Sequence, residues 1–127
     1  MSIPQRGDVW LGDFGTPVGH EQGFRRLAVV LSADRMNSSR AGLVIVVPIT
    51  RSRRGLPSHV ELYAEQTGLR ETSYAKGEDI KSVSVDRLVH RLGDVPGVIV
   101  APLGAAVRTL SISEGTFPLR STAIEQR

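Results

Sequence analysis

Apolar and polar residues alternate along residues 8–14, with Val9, Leu11 and Asp13 on one side and Trp10, Gly12 and Phe14 on the other. That is the period of a β-strand. Residues 15–23 read as a long loop punctuated by Gly15, Gly19 and Gly23. Residues 27–32 are a continuous apolar run, expected to be a strand buried on both faces. Asp34 is placed to cap a short helical turn through Asn37. Residues 43–49 form a second buried strand closing on Thr50, and 51–57 form a basic loop. Residues 59–63 alternate again, with Val60 and Leu62 set apart from His59, Glu61 and Tyr63. No period stands out in 67–75. Residues 80–85 alternate, Asp86, Arg87 and Leu88 suit a tight turn, and 89–95 suit a further strand. Leu103, Ala106, Val107 and Leu110 repeat at helical spacing, with Pro102 suited to the first turn.

Roughly six short strands without alternating helices argue against a parallel β-α-β architecture. A small, strongly bent antiparallel sheet or partly open barrel with one C-terminal helix is the expected fold. At 127 residues the chain is one domain, expected over 1–112, with a loose tail over 113–127 where apolar density falls.

The chain has no cysteine, which removes disulfides, thiolate nucleophiles and zinc–thiolate sites together. No apolar stretch near the start suits a signal peptide or membrane span, so no membrane partner and a cytoplasmic location are expected. The net charge is +3, and of the basic residues only Lys76 and Lys81 are lysine. The rest are arginine, which grips phosphate through paired hydrogen bonds. Arg25 with Arg26, and Arg51 with Arg53 and Arg54, concentrate positive charge where a polyanion could bind. The loop before the first pair carries His20, Glu21, Gln22 and Phe24, too polar for a core and anchored by a strand at each end.

These segments together resemble a known family. Arg6-Gly7-Asp8-Val9-Trp10, then Gly19-His20-Glu21-Gln22 with Arg26, then Val46-Val47-Pro48-Ile49-Thr50, then Glu78-Asp79-Ile80-Lys81-Ser82-Val83 with Arg87-Leu88 occur in the order seen in MazF/PemK toxin endoribonucleases. His59-Val60-Glu61-Leu62 adds a weaker block. The resemblance implies a mainly β (α+β) fold, an SH3-like small barrel of antiparallel strands with a C-terminal helix, MazF/CcdB-like, assembled as a homodimer. It implies the toxin of a type II toxin–antitoxin system, cleaving single-stranded RNA at a short sequence without metal. The ends left are a 2′,3′-cyclic phosphate and a 5′-hydroxyl. A cognate MazE-like antitoxin blocks the site, and DNA is met only through that antitoxin. The chain departs from the pattern at Leu27, where proline is usual, and at Asp79 and Lys81, where glutamine and arginine are common.

Cleavage by a 2′-hydroxyl needs a base, an acid and a cation on the phosphorane. The catalytic candidates are Arg26, Thr50, His20 and Glu78. Arg26 stays protonated and suits charge stabilisation, not proton abstraction. Thr50 can donate its hydroxyl to a phosphate oxygen. His20 has an ordinary pKa near neutrality. Glu78 could act as a base beside Lys76. The expected RNA-binding set is Glu21, Gln22, Phe24, Arg25, Arg51, Arg53, Arg54, Lys76 and Lys81, with Phe24 suited to stack a splayed base. His59 reads as structural. The histidines lack ligand spacing and the glycines lack a phosphate-loop pattern, so neither a metal nor a cofactor is expected. Two other readings compete: a toxin of the same fold that binds DNA gyrase, and a barrel that binds RNA without cutting it. The helix ends in Leu110-Ser111-Ile112-Ser113 and lacks the aromatic anchor that gyrase binding would favour. His20→Ala is expected to retain more RNA-cleaving activity than Arg26→Ala; equal loss in a gel-based cleavage assay would reverse that ranking.

Overall fold

A computed structural model describes residues 2–15 and 25–112. His20, Glu21, Gln22 and Phe24, and the expected tail over 113–127, lie outside the described residues. The strands are β1 (Asp8–Asp13), β2 (Arg25–Val30), β3 (Leu43–Thr50), β4 (His59–Leu62), β5 (Ser73–Lys76), β6 (Lys81–Ser84) and β7 (Leu88–Asp94). Two short helices, α1 (Asp34–Asn37) and α2 (Ala64–Thr67), interrupt them, and α3 (Gly97–Ile112) closes the described chain.

All strand pairs are antiparallel, in the order β4-β5-β3-β2-β1-β7, with β6 on β3. The mainly β fold with a C-terminal helix is the one expected. The barrel does not close: among the described residues β4 and β7 end the sheet without pairing to each other. One edge of β3 serves two partners. Residues Leu43 to Val46 pair with β6, and Ile49 and Thr50 pair with β5. Pro48 falls between the two, where its missing N–H costs no ladder bond on that edge.

Neighbouring residues on the central strands feed opposite cores. Val9, Val29, Val47 and Ile49 join Leu62, Leu103 and Val100 on one side of the sheet. Trp10, Ala28, Val30, Val44 and Val46 join Leu88 on the other. This is why β2 and β3 read as unbroken apolar runs: both faces of each are covered.

Three local expectations change. Asp34 does not cap α1, whose N-cap is Ala33; its carboxylate instead accepts from the Arg6 backbone N–H at 2.7 Å. Helix α3 begins at Gly97, so Pro102 lies inside it. The Pro96 carbonyl accepts from the N–H groups of Ile99 and Val100 and starts the helix earlier. Pro102 removes the helical bond to Val98, a residue on the exposed side, where water can take the carbonyl. Leu103 is fully buried as the spacing predicts, but Leu110 faces out. Strand β5 and helix α2 are additions to the sequence reading.

The start of β1 is fixed by a buried carboxylate. Asp8 Oδ2 accepts from the Gln5 N–H at 2.9 Å and from Trp10 Nε1 at 3.1 Å, while Oδ1 accepts from Arg91 Nε at 3.1 Å. One side chain thus ties the N-terminal segment, the indole of the second core and β7 together. Asp8→Ala is expected to leave these donors unpaired and to lower unfolding stability by about 3 kcal/mol, measurable by urea denaturation.

Candidate functional site

The β2–β3 ladder runs from Val30 opposite Val46 to Ala28 opposite Pro48 and then stops. Continuing that register would set Arg26 across from Thr50. Where the pairing ends, a cavity of about 640 Å³ opens, lined by Arg25, Arg26, Leu27, Ile49, Thr50 and Arg51. Its opposite wall carries Gly68, Leu69, Arg70, Glu71 and Ser73, with Leu11 and Leu92 adding apolar surface. The volume is that of a small-ligand cleft.

The cleft is built by local rules. Gly12 and Asp13 of β1 pair with Arg26 and Arg25, so β1 holds the start of β2 in line even after β3 has left it. On the far side, Thr50 pairs with Tyr74 of β5. Gly68 ends α2 in the left-handed conformation, with φ of 81°, which turns the chain so that Leu69 is buried and Arg70 and Glu71 come out beside the cleft. A side chain at position 68 would be strained by that positive φ, although its Cβ would meet the Leu92 carbonyl only at an ordinary contact distance of 3.4 Å.

Among the expected site residues, Arg26 and Thr50 share this cleft with Arg25 and Arg51. Arg25 and Arg26 are exposed and have no ion pair among the described residues. The Thr50 hydroxyl oxygen accepts from the Ser52 N–H at 3.1 Å, a strand-end turn that leaves its proton available to a ligand. Arg51 is occupied: its Nη1 lies 2.9 Å from Glu71 Oε2, with both side chains well exposed. Arg70, Glu71 and Ser73 belong to the site but not to the sequence reading. Their signal was a glycine followed by a lone leucine and a charged pair, Gly68-Leu69-Arg70-Glu71, inside the segment without a period.

The remaining candidates lie elsewhere. Arg53 lines a separate small hollow with His59, Glu61 and Tyr74. Arg54 is exposed and lines neither cavity. Lys81 stands over the Phe14 ring, 5.4 Å from its centre. Lys76 pairs with Asp79 at 2.9 Å, not with Glu78. Among the described residues no group of three or more His, Asp or Glu side chains is placed to hold a metal ion.

Glu78 is absent from the lining of the arginine-rich cleft, and both its oxygens are engaged. Oε1 accepts from Ser58 Oγ at 2.7 Å and Oε2 meets His59 Nε2 at 2.9 Å. The His59 side chain is only 3% exposed, as that of a structural residue would be, and its Nδ1 has no partner among the described residues. Gly77 completes the junction: its N–H donates to the Ser58 carbonyl at 2.9 Å, and a Cβ there would stand 2.8 Å from the same oxygen. The cluster fastens the start of β4 to the 3-10 turn Gly77–Asp79.

Partial burial disfavours the charged Glu78 carboxylate, but the hydrogen bonds from Ser58 and His59 outweigh it and hold its pKa below the ordinary 4.5. A lowered carboxylate pKa means stability that is full above the ordinary value and lost as pH falls through the folded one. Glu78→Gln should therefore destabilise the protein by about 1–2 kcal/mol at neutral pH, with the gap to wild type closing in acid. Paired thermal melts from pH 7 down to pH 3 would check it; a gap that widens in acid contradicts the arrangement.

Residues 5–111 match the model of the family described as PemK-like, MazF-like toxins of type II toxin–antitoxin systems. The chain is similar to endoribonuclease MazF9 of Mycobacterium tuberculosis, 34% identical over 109 residues, covering 82% of this chain and 92% of that protein. It is also similar to endoribonuclease EndoA of Bacillus subtilis, 32% identical over 91 residues, covering 71% of this chain and 78% of that one. Among solved structures, MazF of Deinococcus radiodurans superposes with a TM-score of 0.71 at 29% identity, over 87% of this chain and 97% of that one. A MazE–MazF structure from the same organism superposes with a TM-score of 0.68 at 29% identity, over 87% and 96%. With the family model spanning nearly every described element, the chain belongs to the PemK-like, MazF-like toxins of type II toxin–antitoxin systems.

Proposed function

We propose that this toxin is an endoribonuclease and that the cleft between the diverging ends of β2 and β3 is where it cuts. The observation that carries the reading is the meeting of Arg26 and Thr50 in one cleft with Arg25, Arg51 and Arg70. A permanent cation and a hydroxyl donor beside further guanidinium groups suit a phosphodiester. The relatives named as endoribonucleases support the same chemistry.

In the reaction, the substrate's 2′-oxygen attacks the adjacent phosphorus and forms the O2′–P bond. The bond from phosphorus to the 5′-oxygen breaks. The 2′ proton passes to a base, and the departing 5′-oxygen takes up a proton. The ends are a 2′,3′-cyclic phosphate and a 5′-hydroxyl. The nucleophile belongs to the RNA, so no metal-activated water is needed. Arg26 neutralises the charge that builds on the phosphorane, and the Thr50 hydroxyl donates to a non-bridging oxygen. Arg25 and Arg70 hold the neighbouring phosphates, with Arg51, paired to Glu71, adding to the positive field. With Glu78 bound to Ser58 and His59, and Lys76 bound to Asp79, His20 is the titratable candidate that remains for proton transfer.

The partners follow from the family and from charge. Single-stranded RNA is the substrate, because in-line attack needs an unstacked linkage that A-form pairing prevents. An acidic antitoxin segment neutralises the toxin by covering the arginine cleft, which joins charge pairing to burial of its apolar wall. The active form is a homodimer, and DNA is reached only through the antitoxin.

The test is incubation of the purified toxin with an unstructured RNA in the presence of chelator. Cleavage with cyclic-phosphate ends is expected, with weak cutting when the same site is paired in a duplex. Arg26→Ala should lower kcat/KM by about 10²- to 10³-fold. Intact RNA, or equal rates on paired and unpaired sites, would refute the assignment.

A further inference from the structure

Among the described residues, the cleft lining holds four arginines and a single carboxylate, Glu71. In a groove for a polyanion that carboxylate is out of place as a phosphate contact, since it can only accept hydrogen bonds and repels phosphate oxygens. Arg51 Nη1 holds Oε2 at 2.9 Å, and Oε1 has no partner among the described residues while the side chain is 59% exposed. Each carboxylate oxygen has room for two donors. Glu71 is therefore an exposed acceptor in the cleft lining, with one oxygen paired to Arg51 and the other open to a donor. The same lining also carries apolar side chains, Leu11, Leu27 and Leu92 among them, against which the flat face of a base can rest.

We propose that Glu71 is a specificity-determining residue that reads a guanine of the RNA, an inference that rests on the ribonuclease reading of this cleft. The choice of guanine follows from the donor patterns of the bases. Guanine offers two adjacent donors, N1–H and N2–H₂, which match the two oxygens of one carboxylate. Cytosine and adenine each offer one amino donor beside a ring-nitrogen acceptor that would face the carboxylate lone pairs. Uracil offers one N–H between two carbonyls. Only guanine presents two neighbouring donors to this acceptor. Arg51 acts here as a positioning residue, keeping the carboxylate in place.

The experiment compares wild type, Glu71→Ala and Glu71→Gln on a randomised single-stranded RNA pool, with the cleaved ends sequenced. Wild type is expected to enrich guanine at one position near the cut, and both variants to lose that preference by about tenfold or more while still cleaving. Replacing that guanine by inosine, which lacks the N2 amino group, should slow wild type about tenfold and leave Glu71→Ala unchanged. Identical cleavage profiles for all three proteins would overturn the inference and leave the ribonuclease reading standing. So would uniformly tighter RNA binding by Glu71→Ala at every sequence, which would make Glu71 only a counterion of Arg51. A wild type that cleaves nothing would overturn both.

Discussion

The structure depends on a ladder that stops early. Strands β2 and β3 are covered on both faces, so their register is fixed wherever they pair: a slip of one residue would exchange the members of the two cores. After Ala28 and Pro48 the strands leave each other, yet each keeps its outer neighbour, β1 for β2 and β5 for β3. Rigid walls with a gap between them are the result. Arg26 and Thr50 sit at the ends of the most constrained strands in the protein, yet beyond the last shared pair. A side chain in the middle of that ladder would be buried, and one on a free loop would not be positioned.

The same architecture separates holding from reacting. The carboxylates with several close donors, Asp8 and Glu78, are both tied to groups outside the cleft lining. Asp8 anchors β1 to Trp10 and to β7, and β1 in turn aligns the start of β2. Glu78 anchors β4 against the turn that follows β5, and β5 in turn aligns Thr50. Each therefore supports one wall at a distance. A sequence reading that ranks carboxylates by chemical potential alone cannot tell such supports from catalytic bases; the difference lies in what donates to them.

The strands were legible where burial on one or both faces imposed a period. β1, β2, β3, β4, β6 and β7 were all visible within a residue or two of their ends. β5 was not, because Ser73 and Ala75 are small residues on its buried side and give little hydropathy contrast with Tyr74 and Lys76. The start of α3 was hidden by Pro102, whose preference for first turns is overridden by Pro96 and by burial of Val100 and Leu103. At the site, Arg26 and Thr50 could be paired from their blocks, since both lie at the ends of legible strands. Arg70 and Glu71 could not, because what brings them to the cleft is the left-handed turn at Gly68 and the unread strand after it.

Charge in the cleft is uneven in a way that composition hides. A net charge of +3 over the chain describes a mildly basic protein. Among the described residues, the lining has Arg25, Arg26, Arg51 and Arg70 against Glu71 alone. The surplus is thus gathered where two strands part, while Arg91 and Lys76 are taken up by Asp8 and Asp79 elsewhere. A cleft so unbalanced attracts polyanions of any sequence, since phosphate contacts carry no base information. Discrimination must then come from groups that phosphate cannot satisfy. An acceptor-only carboxylate held at the rim is such a group: its effect is unfavourable for every substrate except one that brings donors to it. Affinity and selectivity in this site are in that sense supplied by opposite charges on residues adjacent in space, Arg51 and Glu71, joined by one ion pair.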